Sequence, residues 1–296
     1  MILAIDIGGT SSKFGLVSGN GEISGDKKFE TEKAVGRFGL AGFLENEIRA
    51  YIREFPRIEG IGMGLPGLLS RERKEILELP NIPEVGRLPV VAALSEKFPG
   101  LPLKIENDAK CATLGEYHFG KHAGMDDFLL VTIGTGIGSG VIIGGKLFLG
   151  ARGNGMELGH ILTGGEKTLE EQIGSSGFLN YAREQAGSRE TILQRDGFSA
   201  KDIFDAAEKG DALAVSLFGY MGRLLGEALV AAVRLLDVTT LLLGGGVSGA
   251  FDYILPELEK ALGDHLPAYY TASLKIEKAS LGNNAGLLGA ASLFMK

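Results

Sequence analysis

The chain has 296 residues, enough for two domains with well-filled cores. Hydrophobic residues make up 45% and charged residues 23%, which is the balance of a soluble globular protein. Thirty basic and thirty-seven acidic residues give a net charge of -7 with no basic run, and this argues against binding to nucleic acid.

Cysteine content and apolar runs exclude several further classes. The single cysteine, Cys111, excludes an internal disulfide and a cysteine-based zinc cluster, and we expect it to pack as a small apolar residue in a helix. The N-terminal run 1–6 has no basic segment and is cut short by Asp6, unlike a signal peptide. The most apolar helix candidate, 227–236, contains Arg234 and is too short to span a bilayer. We therefore expect a cytoplasmic protein without a membrane partner.

The first thirty residues predict a meander of three strands. A buried strand, a glycine-containing turn, a returning strand and a third strand follow one another at residues 2–7, 8–12, 13–17 and 21–30.

The turn of this meander is a candidate phosphate site. Gly8 and Gly9 allow backbone N–H groups to point into the loop beside Thr10, and such a nest binds phosphate oxygens. Asp6 is aimed at the same place and is a candidate for holding a divalent cation, directly or through water. The alternative is an ordinary hairpin with an aspartate near its turn.

Residues 38–55 carry apolar side chains at helical spacing and predict an amphipathic helix. The strand that follows, 58–65, contains alternating glycines and ends in a Pro66-Gly67 turn. Its glycines indicate either a wall for a small ligand or tight packing of a helix on the strand. Residues 70–87 are charged and predict a surface loop, and residues 90–98 predict a short helix.

The centre of the chain carries the candidate catalytic base. Asn107 and Asp108 directly follow a strand candidate at 101–105 and precede a predicted helix. An aspartate at such a junction, between two similar strand-and-glycine patterns, is well placed to act as a base on a ligand. The alternative is that the pair serves only as a helix cap.

The second half repeats the pattern of the first. A buried strand at 127–133 leads into the glycine-rich loop 134–140 and two further strands at 141–143 and 146–149. Two such loops are suited to hold a chain of phosphates. Later, a strand at 239–243 ends in three glycines and opens a helix, which suits the close approach of a flat nucleoside.

Taken together, these motifs resemble the phosphate-1, phosphate-2 and adenosine motifs of the actin/hexokinase/Hsp70 superfamily. More narrowly, the chain resembles the ROK family of sugar kinases and sugar-responsive repressors. The resemblance covers residues 4–291 in family order and rests on Asp6-x-Gly8-Gly9-Thr10-x-x-Lys13, Gly62-x-Gly64-x-Pro66-Gly67, Glu106-Asn107-Asp108-Ala109, Gly115-Glu116, the 134–140 loop, Glu157-Leu158-Gly159-His160, Gly244-Gly245-Gly246 and Gly282-Asn283-Asn284-Ala285-Gly286-x-x-Gly289-Ala290.

The resemblance implies an α/β, two-lobed, ribonuclease H-like fold with the active site in the cleft between the lobes. Each lobe is expected to hold a mixed five-stranded sheet with flanking helices. We expect a smaller lobe of residues 1–108 plus 283–296 and a larger lobe of residues 109–282. Family habit also implies a homodimer and closure of the lobes on the sugar.

The implied activity is ATP-dependent phosphorylation of the 6-hydroxyl of a hexose, with glucose as the commonest substrate. Asp108 is expected to be the general base, and Mg²⁺ to bridge the phosphates, oriented by Asp6 through water. The implied nucleotide-binding residues are Asp6, Gly8, Gly9, Thr10, Lys13, Gly134, Thr135, Gly136, Gly244, Gly245 and Gly246. The implied sugar-binding residues are Gly67, Asn107, Asp108, Glu157, His160 and Glu170.

One departure from the family pattern concerns zinc. ROK proteins commonly follow the Gly-His pair with a Cys-x-Cys-Gly-x-x-x-Cys cluster that binds zinc with the histidine, whereas residues 161–168 contain no cysteine. One imidazole cannot replace a four-ligand site, so we predict no zinc and a His160 that binds sugar. Because the cysteines that anchor the alignment are missing, Glu170 is assigned less firmly than Glu157, and a surface ion pair is the alternative for Glu157 and His160.

Other readings of the resemblance stay open. N-acetylhexosamines, fructose and allose are alternative acceptors, and polyphosphate is an alternative donor. A sugar-sensing repressor is disfavoured because the phosphate-1 loop begins at residue 6, leaving no room for a preceding DNA-binding domain. A non-catalytic sugar-binding or regulatory protein is disfavoured because Asp108 and all three nucleotide motifs are intact.

Overall fold

A computed structural model of the protein describes residues 1–79, 86–163, 165–187, 191–193 and 197–295. Its strands are β1 (Ile2–Ile7), β2 (Ser11–Val17), β3 (Ile23–Glu30), β4 (Gly60–Leu65), β5 (Leu68–Leu69), β6 (Ile76–Glu78), β7 (Leu103–Asn107), β8 (Phe128–Ile133), β9 (Ile137–Ile143), β10 (Lys146–Leu147), β11 (Thr240–Gly244) and β12 (Lys275–Lys278). Its α-helices are α1 (Thr31–Glu54), α2 (Val90–Lys97), α3 (Asp108–Phe119), α4 (Leu169–Ile173), α5 (Ser175–Ala186), α6 (Ala200–Ala207), α7 (Ala212–Leu236), α8 (Phe251–His265), α9 (Ala268–Thr271) and α10 (Ala285–Ser292). Short 3₁₀ helices occupy Leu158–His160, Gly246–Ala250 and Gly282–Asn284.

The chain divides into two compact units. The first unit holds Met1–Asp126, Gly140–Met156 and Asn283–Lys296, and the second holds Asp127–Ser139 and Glu157–Gly282. The division into lobes of 1–108 plus 283–296 and of 109–282 stays a prediction. The strands of the described residues form two five-stranded sheets and a two-stranded sheet, which confirms the predicted mixed five-stranded sheets.

The first sheet has the order β3-β2-β1-β4-β7. Strands β1 and β2 pair antiparallel, with Asp6 opposite Lys13, whereas β4 runs parallel to both β1 and β7. Apart from Ile2, the apolar side chains of β1, β2 and β4 are buried, as expected for central strands covered on both faces. The Asp6 end of β1 and the Asn107 end of β7 are both carboxyl ends of parallel strands, so they lie at the same edge of this sheet.

Helices α3 and α10 pack so closely in the first unit that only glycine fits at their contacts. A Cβ at Gly289 would lie 1.6 Å from the Cys111 carbonyl oxygen, and a Cβ at Gly62 would lie 1.9 Å from the Ala290 carbonyl oxygen. Gly64 is less tightly enclosed, since a Cβ there would lie 3.3 Å from the Cys111 side chain. Of the two interpretations of the alternating glycines in β4, the structure therefore supports helix packing on the strand.

We expect Gly289→Ala to destabilise the protein by more than about 3 kcal/mol, because a core side chain cannot be overpacked against backbone without shifting a helix. Gly263→Ala in α8 is the matched control, since a Cβ there meets no atom within 4 Å. The control is expected to gain about 1 kcal/mol from helix propensity. Urea unfolding measures both changes, and equal stability of the two variants would contradict the packing argument.

The second sheet has the order β10-β9-β8-β11-β12, and in the second unit β11 runs parallel to β8 and β12. Helix α7 packs on α8, where Gly222 approaches the Ile254 carbonyl oxygen. Of the described helices, α7 is the one long and apolar enough to cross a membrane, and 61% of its most apolar window is buried. It is a core helix of the second unit, and the prediction that it spans only 227–236 was wrong.

Other boundaries also differ from the sequence predictions. Helix α1 begins at Thr31 instead of 38, with a break at Gly39, whose φ of 67° is not helical. Strand β9 begins at Ile137, inside the predicted loop. Within 70–87, predicted as a surface loop, Ile76 of β6 is fully buried and Arg73 makes a buried ion pair; residues 80–85 lie outside the described residues.

Candidate active site

Asn107 and Asp108 lie where β7 ends and α3 begins. The Asn107 Oδ1 accepts hydrogen bonds from the backbone amides of Ala109 and Lys110 at 3.1 and 3.2 Å, so Asn107 is the N-cap of α3. Its Nδ2 donates to the Gly67 carbonyl oxygen at 3.3 Å. The cap alternative therefore holds for Asn107, and the same side chain brings the predicted Gly67 turn next to the candidate base.

Asp108 is the first residue of α3, with its carboxylate partly exposed. Its Oδ1 accepts the amide of Ala109 at 2.9 Å. The positive end of a helix dipole stabilises a carboxylate, so this position favours the ionised form that a general base requires.

A buried ion pair lies directly behind this turn. The Arg73 Nε donates to the Glu106 Oε2 at 2.7 Å, and the side chains are only 14% and 6% exposed. The other oxygen of Glu106 accepts the backbone amide of Asn107 at 2.8 Å. The guanidinium also donates to the carbonyl oxygens of Ser70 and Gly153. Arg73 thus anchors the backbone that carries Asn107 and Asp108.

Cys111 lies one helical turn after Asp108, and the pKa of its thiol is affected by the charges nearby. Burial is the main cause that raises the pKa of its thiol well above its usual value, and the carboxylates of Glu106, Asp6 and Asp108 raise it further. The side chain is fully buried, as predicted for a small apolar residue. A thiol in these surroundings stays protonated and unreactive.

The loop after β1 is fixed by a hydrogen bond inside its own turn and by the first residue of α1. The Thr31 hydroxyl donates to the Gly8 carbonyl oxygen at 2.8 Å, and the Gly8 amide donates to the Ser11 carbonyl oxygen at 3.1 Å. The Gly8 amide is therefore used inside the turn. Lys13 donates to the carbonyl oxygen of Asn283.

Asp6 is desolvated by its neighbours. A Cβ at Gly286, in the first turn of α10, would lie 2.6 Å from the Asp6 carboxylate, so the helix backbone covers this side chain. Burial raises the pKa of Asp6 to about 6, and Lys13 opposes the shift. Burial makes the ionised form of this carboxylate unfavourable, and a nearby cation would stabilise that form. This agrees with the predicted role of Asp6 toward Mg²⁺.

We expect Asp6→Asn to raise the free energy of unfolding at pH 8, measured without nucleotide or Mg²⁺. The native pKa of about 6 lies above the unfolded value of 3.8, so ionised Asp6 costs about 1–3 kcal/mol above pH 6. This cost disappears as the pH falls below 4. Urea unfolding at pH 8 and pH 4.5 measures the difference, with Asp26→Asn on the exposed face of β3 as control. A gain that is the same at both pH values would contradict the desolvation of Asp6.

In the second unit, the glycine loop after β8 is held by Glu170. The backbone amide of Ile137 donates to the Glu170 Oε2 at 2.7 Å, and a Cβ at Gly136 would lie 2.3 Å from that oxygen. The Gly134 amide donates to the Gly136 carbonyl oxygen at 2.9 Å, and Thr135 accepts the amide of Ser175 at 3.2 Å. The structure thus brings Glu170 to the predicted phosphate loop, and at least one of its oxygens serves the backbone there.

Glu157 precedes the 3₁₀ helix Leu158–His160 of the same unit, and His160 is its last residue. The His160 Nδ1 lies 3.6 Å from the Glu157 Oε2, and both side chains are at least one-third exposed. Gly159 between them packs on the Ile137 carbonyl oxygen, and the amide of Leu158 donates to the Ser139 hydroxyl at 3.2 Å. Ile137 therefore contacts both the Glu157–His160 turn and Glu170, so the predicted sugar residues of this unit surround one loop.

A cavity of about 420 Å³ opens beside the three consecutive glycines. Gly134 and Gly246 lie at its edge, and its walls are mostly apolar side chains, among them Phe178, Phe204, Phe218 and Met221. Gly245 has φ of 84°, and a Cβ there would meet the backbone of Ile133 at 2.4 Å, so this glycine is required by the turn itself. By contrast, a Cβ at Gly246 or Gly134 meets no atom within 4 Å.

The sequence profile of the ROK family matches residues 2–296. The chain belongs to the ROK family. A crystal structure from Cytophaga hutchinsonii, named for an inferred sugar-kinase activity, is 48% identical to this chain, with 100% of both chains covered and a TM-score of 0.92.

Two further ROK relatives differ in the sugar they are named for. The glucokinase of Streptomyces griseus, solved with glucose and AMPPNP, is 30% identical over 99% of this chain and 98% of its own, with a TM-score of 0.84. The N-acetyl-D-glucosamine kinase of Mannheimia succiniciproducens is 31% identical over 100% of this chain and 99% of its own. The comparisons confirm the predicted family and the actin/hexokinase-like α/β fold.

Two residues of these sites were missed in the sequence analysis. Arg73 lies in a stretch predicted as a surface loop, and Gly286 had no predicted role of its own. Gly286 lies against the predicted site residue Asp6, and Arg73 pairs with Glu106, which directly precedes the predicted Asn107 and Asp108. The signal that could have pointed to Arg73 is Glu106 itself. A carboxylate at the end of a buried strand requires a cationic partner, and Arg73 is one of the candidates in the chain.

Proposed function

We propose that this ROK protein is a sugar kinase that transfers the γ-phosphoryl group of ATP to the 6-hydroxyl of a hexose, with glucose as the first candidate. The observation that carries the proposal is the position of Asp108, at the N-terminus of α3 beside the Asn107–Gly67 contact. In this proposal, the Asp108 carboxylate accepts the proton of the attacking hydroxyl, and Asn107 and Gly67 orient the sugar.

The donor is proposed to be bound by the glycine motifs. Thr10, Lys13 and the 134–136 loop are assigned to the phosphates, and the cavity beside Gly246 is assigned to the adenosine. Its apolar walls and its volume of about 420 Å³ suit a nucleobase, since ligand pockets are mostly apolar with a few polar groups. The AMPPNP complex of the Streptomyces griseus relative supports ATP as donor.

Asp6 fits the proposed role toward Mg²⁺. The described residues contain no group of three or more His, Cys, Asp or Glu side chains that could hold a metal, so protein ligands alone do not make a cage. Mg²⁺ commonly binds through one carboxylate, water and substrate phosphates, which is what the single desolvated Asp6 offers. When bound, the ion neutralises charge on the phosphate oxygens.

The acceptor is proposed to contact Glu157, His160 and Glu170 near its anomeric end. Glucose is placed first because of the Streptomyces griseus glucokinase, and N-acetylhexosamines second because of the Mannheimia succiniciproducens kinase. We propose that the protein acts in the cytoplasm as a homodimer without zinc. Light scattering and metal analysis of the purified protein test the last two points.

A coupled ADP-release assay with Mg-ATP tests the proposal on glucose, fructose, allose and N-acetylhexosamines, and NMR of the product locates the phosphate. Turnover on glucose with phosphate at O6 supports the proposal as written. Turnover on another sugar would keep the proposed kinase activity but change the proposed acceptor. Turnover only with polyphosphate would change the proposed donor. No turnover with any pair, while sugar still binds, would favour a non-catalytic sugar-binding protein.

We expect Gly246→Val to raise the KM for ATP by about tenfold or more, because Gly246 lines the cavity, a Cβ there meets no protein atom within 4 Å, and a branched side chain would take up space proposed for the nucleotide. The KM for the sugar and the melting temperature should stay close to wild type. Gly246→Ala provides a size series and is expected to have a smaller effect. An unchanged KM for ATP in Gly246→Val would show that the cavity does not receive the nucleotide.

A further inference from the structure

Residues 161–168 form a loop in the second unit, for which the structure describes all residues but 164. Three backbone contacts close its base. Leu162 and Thr168 form an isolated antiparallel bridge, the amide of Thr163 donates to the Lys167 carbonyl oxygen at 3.2 Å, and the amide of Leu169 donates to the Ile161 carbonyl oxygen at 2.9 Å. His160 directly precedes this loop, and Glu170 follows it by two residues.

One side chain, Gln172 of α4, reaches across the base of the loop. Its Nε2 lies 2.7 Å from both the carbonyl oxygen and the hydroxyl of Thr163, and 3.3 and 3.4 Å from the carbonyl oxygens of Lys167 and Thr168. Three of these partners are carbonyl oxygens, which only accept, so the atom facing them is the amide nitrogen. Its two hydrogens serve the short contacts to Thr163 and are shared with the longer ones.

The contacts of Gln172 with Thr163 are partly buried, where the loss of a hydrogen bond destabilises a protein more than at the surface. Thr163 is buried, at 7% exposure, so its carbonyl oxygen and hydroxyl would lose hydrogen-bond partners if Gln172 were truncated. The start of α4 is fixed separately by a capping box between Thr168 and Glu171. Leu169 and Ile173 are fully buried and hold α4 on the core. Helix α4 is therefore held in place by its own packing and cap, and the hydrogen bonds of Gln172 attach the loop to it.

The composition of the loop does not favour a fixed shape. Residues 161–168 contain neither a cysteine nor an aromatic residue, two of the eight are glycine, and Leu162 is 65% exposed. A short loop of this composition loses much conformational entropy when it is ordered. The Gln172 side chain contacts the loop on both sides of its base, at Thr163 where the loop begins and at Lys167–Thr168 where it ends.

We propose that Gln172 is a positioning residue that clasps the 161–168 loop and thereby holds His160 and Glu170 in place for the sugar. The inference rests on the proposed function, because it assigns those two residues to the acceptor. Gln172 itself does not act on the reacting atoms. Its amide supplies in one side chain the cross-link that the loop needs between the two sides of its base.

Gln172→Leu removes the donors at similar size, and Gln172→Glu keeps the size but replaces the donors with acceptors that face carbonyl oxygens. We expect both variants to raise the KM for the sugar by about tenfold, with kcat and the KM for ATP within about threefold of wild type. Thr163→Val removes one of the acceptors and should have a smaller effect. Because Thr163 and Gln172 share a contact, the effects of Thr163→Val and Gln172→Leu should not add. Glu184→Leu, at an exposed position of α5, is the control and should leave all three constants unchanged.

Hydrogen–deuterium exchange supplies a readout that does not depend on turnover. In Gln172→Leu, faster exchange should be confined to peptides covering 160–170, because the amides of Thr163 and Leu169 lose protection. Unchanged exchange there, or a KM for the sugar equal to wild type in both Gln172 variants, would overturn the proposal, as would a glutamate variant as active as wild type. Should the wild type phosphorylate no sugar, the proposed function fails, and exchange at 160–170 together with sugar binding by calorimetry still decides whether Gln172 holds the loop.

Discussion

Replacing Asp108 by asparagine is expected to lower kcat for sugar phosphorylation by about 10²–10⁴-fold, the usual cost of losing a general base. Asparagine keeps the size of the side chain and still provides an oxygen to accept the amide of Ala109. It cannot accept the proton of the attacking hydroxyl at neutral pH. Because the N-cap of α3 is supplied by Asn107, the variant should retain its fold and its KM for ATP.

Three measurements separate this effect from general damage. The coupled ADP-release assay gives kcat, calorimetry gives the dissociation constant for the sugar, and thermal unfolding gives the stability. Asp264→Asn, at an exposed position of α8, is the matched control and should be fully active. If Asp108→Asn kept more than about one-tenth of wild-type kcat, Asp108 would not be the base, and another carboxylate or water would have to take the proton.

Much of this fold could be predicted from the sequence because its elements are defined by local patterns. Strands β1, β8 and β11 are mostly apolar runs that lead into glycine, and such runs are buried strands in this kind of sheet. The order of strand, glycine loop and strand could also be read from the sequence. Boundaries failed where local patterns compete, as at Gly39, where a glycine breaks an otherwise helical segment.

The glycines show where sequence reasoning ends. Gly62, Gly64 and Gly246 all occur in glycine-rich motifs, yet Gly62 and Gly64 make room for α10 and α3, whereas Gly246 borders open space. All three residues are glycine, so the sequence does not distinguish them. Only the atoms that surround each one in the folded structure show whether it allows close packing or leaves room for a ligand. Asn107 is similar, since one side chain both caps α3 and contacts Gly67.

Contacts between distant residues were the part that could not be predicted. The residues quoted around Asp108 gave its neighbours in sequence, but its support comes from Arg73, thirty-three positions before Glu106 in the chain. Without an alignment, nothing in a charged stretch distinguishes an arginine that is buried from one that is solvated. The same reason hid Gln172, whose partners become visible only when α4 and the 161–168 loop are folded.

We expect Arg73→Met to lower the free energy of unfolding by about 3–5 kcal/mol, the cost of removing one partner of a buried ion pair. The loss leaves the Glu106 carboxylate, only 6% exposed, without its cation. It also removes one hydrogen bond from each of the carbonyl oxygens of Ser70 and Gly153. Lysine should not rescue the variant, because one ammonium cannot reproduce the fork that meets three acceptors. Arg73 also holds a left-handed φ of 54°, a backbone cost that its side-chain contacts offset.

The double variant Arg73→Met with Glu106→Gln tests whether the effect is electrostatic. Removing the buried charge along with its partner should restore about half or more of the lost stability, since the remaining penalty is packing and hydrogen bonding. Catalysis should recover less, because neither replacement restores the hydrogen bonds by which Arg73 anchors the backbone before Asn107 and Asp108. Urea unfolding and kcat on the same samples measure the two recoveries. If the double variant were no more stable than Arg73→Met, the unpaired charge of Glu106 would not be the cause, and the contacts of Arg73 with Ser70 and Gly153 would have to account for the loss.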